Sequence, residues 1–265
     1  MTANAATTTF STPRRRVGLA TSWRIERTKV RTSWFLIGAV ILGIFAQLLG
    51  AWNYTTNLSI FQEQGVTWTA IWVQGGILVT SIFLPLLYVV ILAHTGSLEY
   101  QTRGWQRLAS IDRVAPAMLG KVLVALELAL IGMAVYCAAA IACGLLLGFD
   151  PSQLGPYLVR GLCGALGAWV IGTVTMLLAT WFRTFATISA AGLVLVIAGM
   201  GLTMAVPPLA TAYPFTLITF GMGAREQTDA EFASPANMLG TATICLAWIA
   251  LSTALTISRI RRREW

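Results

Sequence analysis

The chain has 265 residues, of which 57% are hydrophobic and 11% charged, with a formal net charge of +8. With a mean hydropathy of +0.73, it is too apolar for a soluble globule of this size. Its apolar runs are continuous rather than alternating, which excludes a transmembrane barrel and selects an all-α polytopic membrane protein, since helices satisfy every backbone polar group internally.

Residues 1–16 form a Thr- and Ala-rich start followed by Arg14, Arg15 and Arg16. They are expected to be a disordered cytosolic tail, too far from the first apolar run for a cleaved signal peptide. The remainder, 17–265, reads as a single six-helix transmembrane domain. From Val17 to Trp34, the side chains Leu19, Trp23, Val30 and Trp34 share one arc at about 100° per residue, with arginines around much of the remainder. That pattern suits an N-terminal helix lying in the membrane interface; a solvated basic arm is the alternative.

A span needs roughly 20 helical residues to cross about 30 Å of hydrocarbon. Six runs meet that length: 33–52, 72–94, 119–147, 158–182, 186–206 and 237–258. Trp52, Trp68 and Trp72 at one boundary, with Trp34 and Trp181 at the other, are placed as an aromatic belt would be. In the third run, Glu127 is the one clearly intramembrane acid. Burying its charge costs on the order of 3 kcal/mol near the centre, so it should face protein, water or a partner. It is a candidate for the translocation path, or else a protonated or hydrogen-bonded structural residue. Gly164, Ala168 and Gly172, and Gly144 with Gly148, have the four-residue spacing of close helix contacts. Before the last run, 207–235 is long, and its apolar part 213–222 is too short to span. It suits either a re-entrant piece or an ordinary loop.

Sixteen of the 18 basic residues lie before the first run, between the second and third or, for Lys121, at the very start of the third, between the fourth and fifth, or after the sixth. Only Arg160 and Arg225 fall opposite. The positive-inside rule then places both termini in the cytoplasm. The charge is thereby explained by topology and requires no nucleic acid. The cysteines lie within apolar runs without paired spacing or a His partner, so neither a disulfide framework nor a metal site is expected. There is no H-E-x-x-H, no G-x-S-x-G, and no P-loop, because both lysines, Lys29 and Lys121, are followed by valine. An enzyme is not expected, no cofactor is expected on this chain, and any ATP chemistry has to come from another subunit.

The stretch GSLEYQTRGWQRLASIDRVAPAMLGK, residues 96–121, is far longer than a turn requires. A helix here places Leu98, Trp105 and Leu108 on one side and leaves Arg103 and Arg107 to face water, lipid phosphate or a partner. Pro116 suits the first turn of the next helix. With six spans, an interfacial arm, this connector and an interrupted outer loop, the chain resembles the permease subunit of a type-2 ABC exporter. Glu99, Gly104-Trp105, Leu108, Arg113 and Lys121 look like that family's connector motif, and the Trp form is closest to the bacteriocin or lantibiotic immunity permeases. No Thr stands between Gly104 and Trp105, and Ile111-Asp112 occupies the usual place of a proline.

The resemblance implies a bacterial plasma-membrane protein whose cytosolic coupling helix is held by a separate ABC ATPase dimer, with ATP and Mg on that partner. It implies a second permease subunit, homo- or heterodimeric, and an amphipathic peptide, antibiotic or other hydrophobic cargo. Glu99, Gly104, Trp105, Arg107, Leu108 and Arg113 are then the ATPase-coupling residues, with Trp105 and Leu108 as apolar anchors in the ATPase groove. The rival readings are a small secondary carrier, which should show internal repeats, and a membrane scaffold or sensor subunit whose basic loop binds anionic lipid.

Overall fold

The computed structural model describes residues 18–63, 66–225, 232 and 234–263; the predicted tail 1–16 lies outside them. Among the described residues, six helices are long and apolar enough to cross a membrane: Thr32–Thr56, Ala70–Gln101, Val114–Leu146, Pro151–Leu178, Phe185–Ala205 and Pro235–Arg262. They are called the first to sixth spans below. A short helix, Leu19–Arg27, precedes them, and another, Gly104–Ser110, joins the second span to the third. The described residues contain helices and no strand.

The fourth span is the axis of the bundle. Of its most apolar stretch, 78% is buried within the protein, against 22% for the fifth span and 17% for the sixth. The sequence pattern explains this centrality. Gly164, Gly167 and Gly172 lie where a Cβ would meet Met222, the backbone of Leu217 and the side chain of Ala125. Gly164 and Gly172 of the predicted stripe, with Ala168 also buried, therefore serve packing inside this chain, as does Gly167, against the third span and the segment 217–222. The other predicted pair does not form a stripe. Gly144 makes room for the ring of Trp68, whereas Gly148, at φ 80°, ends the third span. The amide of Phe149 donates to the carbonyl of Gly144 at 3.0 Å, and that of Gly148 to Leu145 at 3.1 Å, the hydrogen-bond pattern of a Schellman stop.

The second span is continuous but contains two π-helical turns, Ala70–Gln74 and Val79–Phe83. The latter ends two residues before Pro85, whose ring nitrogen cannot donate to a carbonyl one turn back, so the widened turn falls where the regular ladder breaks. The expected aromatic belt needs correction at this end of the bundle. Trp52 is 69% exposed, but Trp68 and Trp72 are buried. Their indole N–H groups donate to Asp150 O and Met222 O, each at 2.8 Å, so internal carbonyls hold both rings inside.

The apolar part of the connection between the fifth and sixth spans folds back onto the bundle. Leu217–Gly221 is a short helix whose Leu217 and Ile218 are fully buried against the fourth span. Arg160, buried in that span, donates from Nε to Phe232 O at 2.8 Å and lies 5.1 Å from the centre of the Phe232 ring. The loop is thereby tied down by a cation that the charge count had treated only as a topological marker.

Candidate functional site

At the opposite end, the basic one, four segments remote in sequence converge: Leu19–Arg27, the end of the second span with the connector helix Gly104–Ser110, the start of the third span, and the end of the sixth. The connector is positioned from below by a buried quartet of charges. Lys121, only 1% exposed, donates to Glu99 Oε1 at 2.6 Å and to Glu26. Lys29 donates to the same Glu99 oxygen at 2.7 Å and to Glu26 at 2.8 Å. Two lysines and two glutamates make the group neutral overall. Burial alone would lower the Lys29 pKa; the hydrogen bonds to Glu26 and Glu99 outweigh it and hold the ammonium above its ordinary value.

Glu99 explains Gly104. A Cβ at Gly104 would run into Glu99 Oε2, so the connector can approach the carboxylate this closely only with glycine there. Trp105 follows, also 1% exposed, and packs with Val114 and Ile260, with Tyr100 and Leu108 at the margin. The Lys121 ammonium lies 5.3 Å from its ring centre, a cation–π contact that joins the quartet to the connector.

This burial corrects the expectation that Trp105 projects as an anchor into a partner. It is an internal anchor, because the third and sixth spans supply the apolar pocket that a partner was expected to supply. What the connector exposes is its other edge, with Gln106, Arg107 and Ser110, followed by Ile111. Arg107 donates back to Thr102 O at 2.5 Å. Leu108 is half-buried, and Arg113, also half-buried, stands at the N-terminal cap of the third span. Between the connector and the first helix runs an apolar groove of about 200 Å³, lined by Ile25, Leu108, Ile111, Pro116 and Ala117, with Glu26 at its base.

The first helix is locked down along its length. A Cβ on Gly120 of the third span would strike the Ser22 backbone, and just beyond the helix Val30 is buried. Trp23 packs against the core, while Leu19 is exposed. Trp23 also donates from its indole to Glu127 Oε2 at 3.0 Å, and Arg27 pairs with Glu127 Oε1 at 2.8 Å. The acid singled out in the third span is thus engaged by the first helix. At the far side of the connector, Arg261 in the sixth span approaches Asp112 at 3.8 Å.

A family model described as ABC-2 family transporter protein matches residues 23–201, running from within the first helix into the fifth span and so including the whole charge quartet and connector. The chain belongs to the ABC-2 transporter family. No curated protein matches it. As an ABC-2 permease it is a multi-pass membrane subunit of an ABC transporter, not itself catalytic, and membership implies association with an ABC ATPase.

Of the residues singled out in the sequence, Glu99, Gly104 and Trp105 are brought into direct contact with one another or with Lys121. Arg107 and Arg113 lie at the edges. Glu26, Lys29 and the pairing role of Lys121 were missed. The available signal was that both lysines of the chain border a predicted span and that one has an acid three residues before it.

Proposed function

We propose that this ABC-2 permease is the membrane subunit of an ATP-driven exporter in the bacterial plasma membrane. In this reading it works as a dimer with its basic end in the cytoplasm and takes force from a separate ATPase, which carries the ATP and Mg. The observation that supports this most is the connector helix: buried on one side against the second, third and sixth spans, and edged on the other by an apolar groove shared with the first helix. A partner gripping that groove pushes on one block. Through Glu99, Lys121 and Trp105 the push reaches the second and third spans together, and through Ile260 the sixth. Glu127 belongs to the same block in this reading, tying the first helix to the third span through Trp23 and Arg27 rather than lining a path. Cargo of amphipathic or hydrophobic character, such as a peptide or antibiotic, agrees with the likeness to immunity permeases.

The ATPase-facing anchors are then Ile111 and Ile25, which are 55% and 52% exposed, with Leu108 between them. An Ile111→Asp substitution introduces a charge into the centre of that contact without disturbing the buried side of the connector. Copurification of the cognate ATPase in mild detergent is expected to fall at least tenfold, since a central anchor is worth about 2 kcal/mol or more. Membrane insertion and monodispersity should be unchanged. Undiminished copurification together with unchanged export would overturn the assignment.

A further inference from the structure

At the basic end, a cavity of about 450 Å³ is lined by the end of the fourth span and the end of the sixth. Its lining is apolar at Leu177, Trp181 and Leu255 and polar at Ser258, Arg259, Arg262 and Arg263. Two of the arginines are held in place. The guanidinium of Arg259 lies 4.6 Å from the Trp181 ring centre, and Arg263 Nη1 donates to Thr180 O at 3.0 Å and to the Tyr100 hydroxyl at 3.2 Å. Arg259 and Arg262 have no carboxylate partner among the described residues, whereas Arg261 points to Asp112.

The electrostatic balance favours an anion. Both spans end here on their carbonyl side, each carrying roughly half a negative elementary charge. Together they offset about one of the three cations, leaving a clear positive excess beside an apolar lining. A soluble anion would gain nothing from Leu177 and Leu255, and a neutral lipid nothing from paired guanidinium groups. A phosphodiester carrying acyl chains uses both, because arginine engages phosphate oxygens two at a time and the cavity opens where the spans reach the headgroup layer.

We propose that this cavity is a binding site for an anionic phospholipid, with Arg259 and Arg262 on the phosphate and an acyl chain against Leu177 and Leu255. The site does not depend on how the connector groove is used. Its occupancy reaches the connector all the same, since Ile260, on the same turn as Arg259, packs against Trp105, and Arg263 holds Tyr100.

The test is native mass spectrometry of the full chain in detergent, titrated with dioleoylphosphatidylglycerol, with dioleoylphosphatidylcholine and with glycerol 3-phosphate. The expected result is one phosphatidylglycerol bound about thirtyfold tighter than phosphatidylcholine, the effect of two cations near a membrane surface. Glycerol 3-phosphate should not displace it at equal concentration. The R259Q/R262Q variant should lose the preference and the R259K/R262K variant retain most of it; both side chains are exposed, so folding is not at stake. Equal binding of the two lipids, or a preference that survives R259Q/R262Q, overturns the site. Displacement by glycerol 3-phosphate overturns the lipid as its occupant.

Discussion

Lys121→Met tests whether the quartet acts as one neutral unit. The substitution keeps the length of the side chain but leaves Glu26 and Glu99 sharing Lys29 alone, so a buried site goes from zero to one net negative charge. Both glutamates are only 3% exposed, and removing one partner of a buried ion pair costs about 3–5 kcal/mol because a charge is left uncompensated. At 1.36 kcal/mol per decade, this is about two to nearly four decades in a local opening equilibrium. Amide hydrogen exchange over 102–112 reads that opening directly. The single variant should lose about that much protection there while the fourth span stays protected. Combining Lys121→Met with Glu99→Gln restores neutrality through the Glu26–Lys29 pair, and at least half of the lost protection should return, even though the remaining Lys29–Glu99 hydrogen bond loses its charge. If the single variant changes exchange by less than tenfold, or the double variant is worse than the sum of its parts, the quartet is not a coupled unit and the connector is held by apolar packing alone.

Two further substitutions separate the apolar and steric parts of the same site. The Trp105 indole N–H has no acceptor among the described residues, so Trp105→Phe should be nearly neutral in thermal stability, while Trp105→Ala loses about 3–5 kcal/mol; equal losses for the two would refute the packing role. Gly104→Ala places a methyl where Glu99 Oε2 stands and should cost about 1–3 kcal/mol by overpacking. Glu99→Ala in the same chain should abolish that increment, read as the difference between the single and double variants in thermal unfolding.

The spans were legible in the sequence because continuous apolar runs near 20 residues leave few alternatives, and the connector was legible because its polar length exceeded what a turn requires. The arc from Leu19 to Trp34 was only half legible: Trp23 and Val30 pack inward, but Leu19 and Trp34 are exposed and the helix ends at Arg27, before Val30. Legibility failed where a long-range partner changes what a residue does. Trp68 and Trp72 look like belt residues because the carbonyls of Asp150 and Met222 that hold them inside are 82 and 150 residues away. Trp105 looks like a partner's anchor for the same reason, its pocket being assembled from Val114 and Ile260. Lys29 and Lys121 were counted as topology signals, although Lys121 reaches Glu26 across 95 residues. A local pattern carries charge and apolarity but not pairing, so the site could be located without being built.

The two ends of the connector show how such a short helix can act as a stiff lever. Arg103 and Asp112 flank it at φ 53° and φ 51°, left-handed conformations that cost a non-glycine residue roughly 1–2 kcal/mol. A seven-residue helix has no independent stability to meet that cost, so Trp105 burial and the Glu99–Gly104 contact have to hold it, the exposed Asp112–Arg261 approach adding little. Replacing the quartet with apolar side chains would fill the same space at less desolvation cost, but apolar packing lets neighbouring helices slide, whereas Glu99 Oε1 bonded to two lysines fixes distances between three segments at once. The charges therefore act chiefly on geometry. They tie the first helix, the second span and the third span to one another, and in the proposed coupling this is what lets a displacement of the connector edge reach the bundle's end instead of being absorbed in a loose joint.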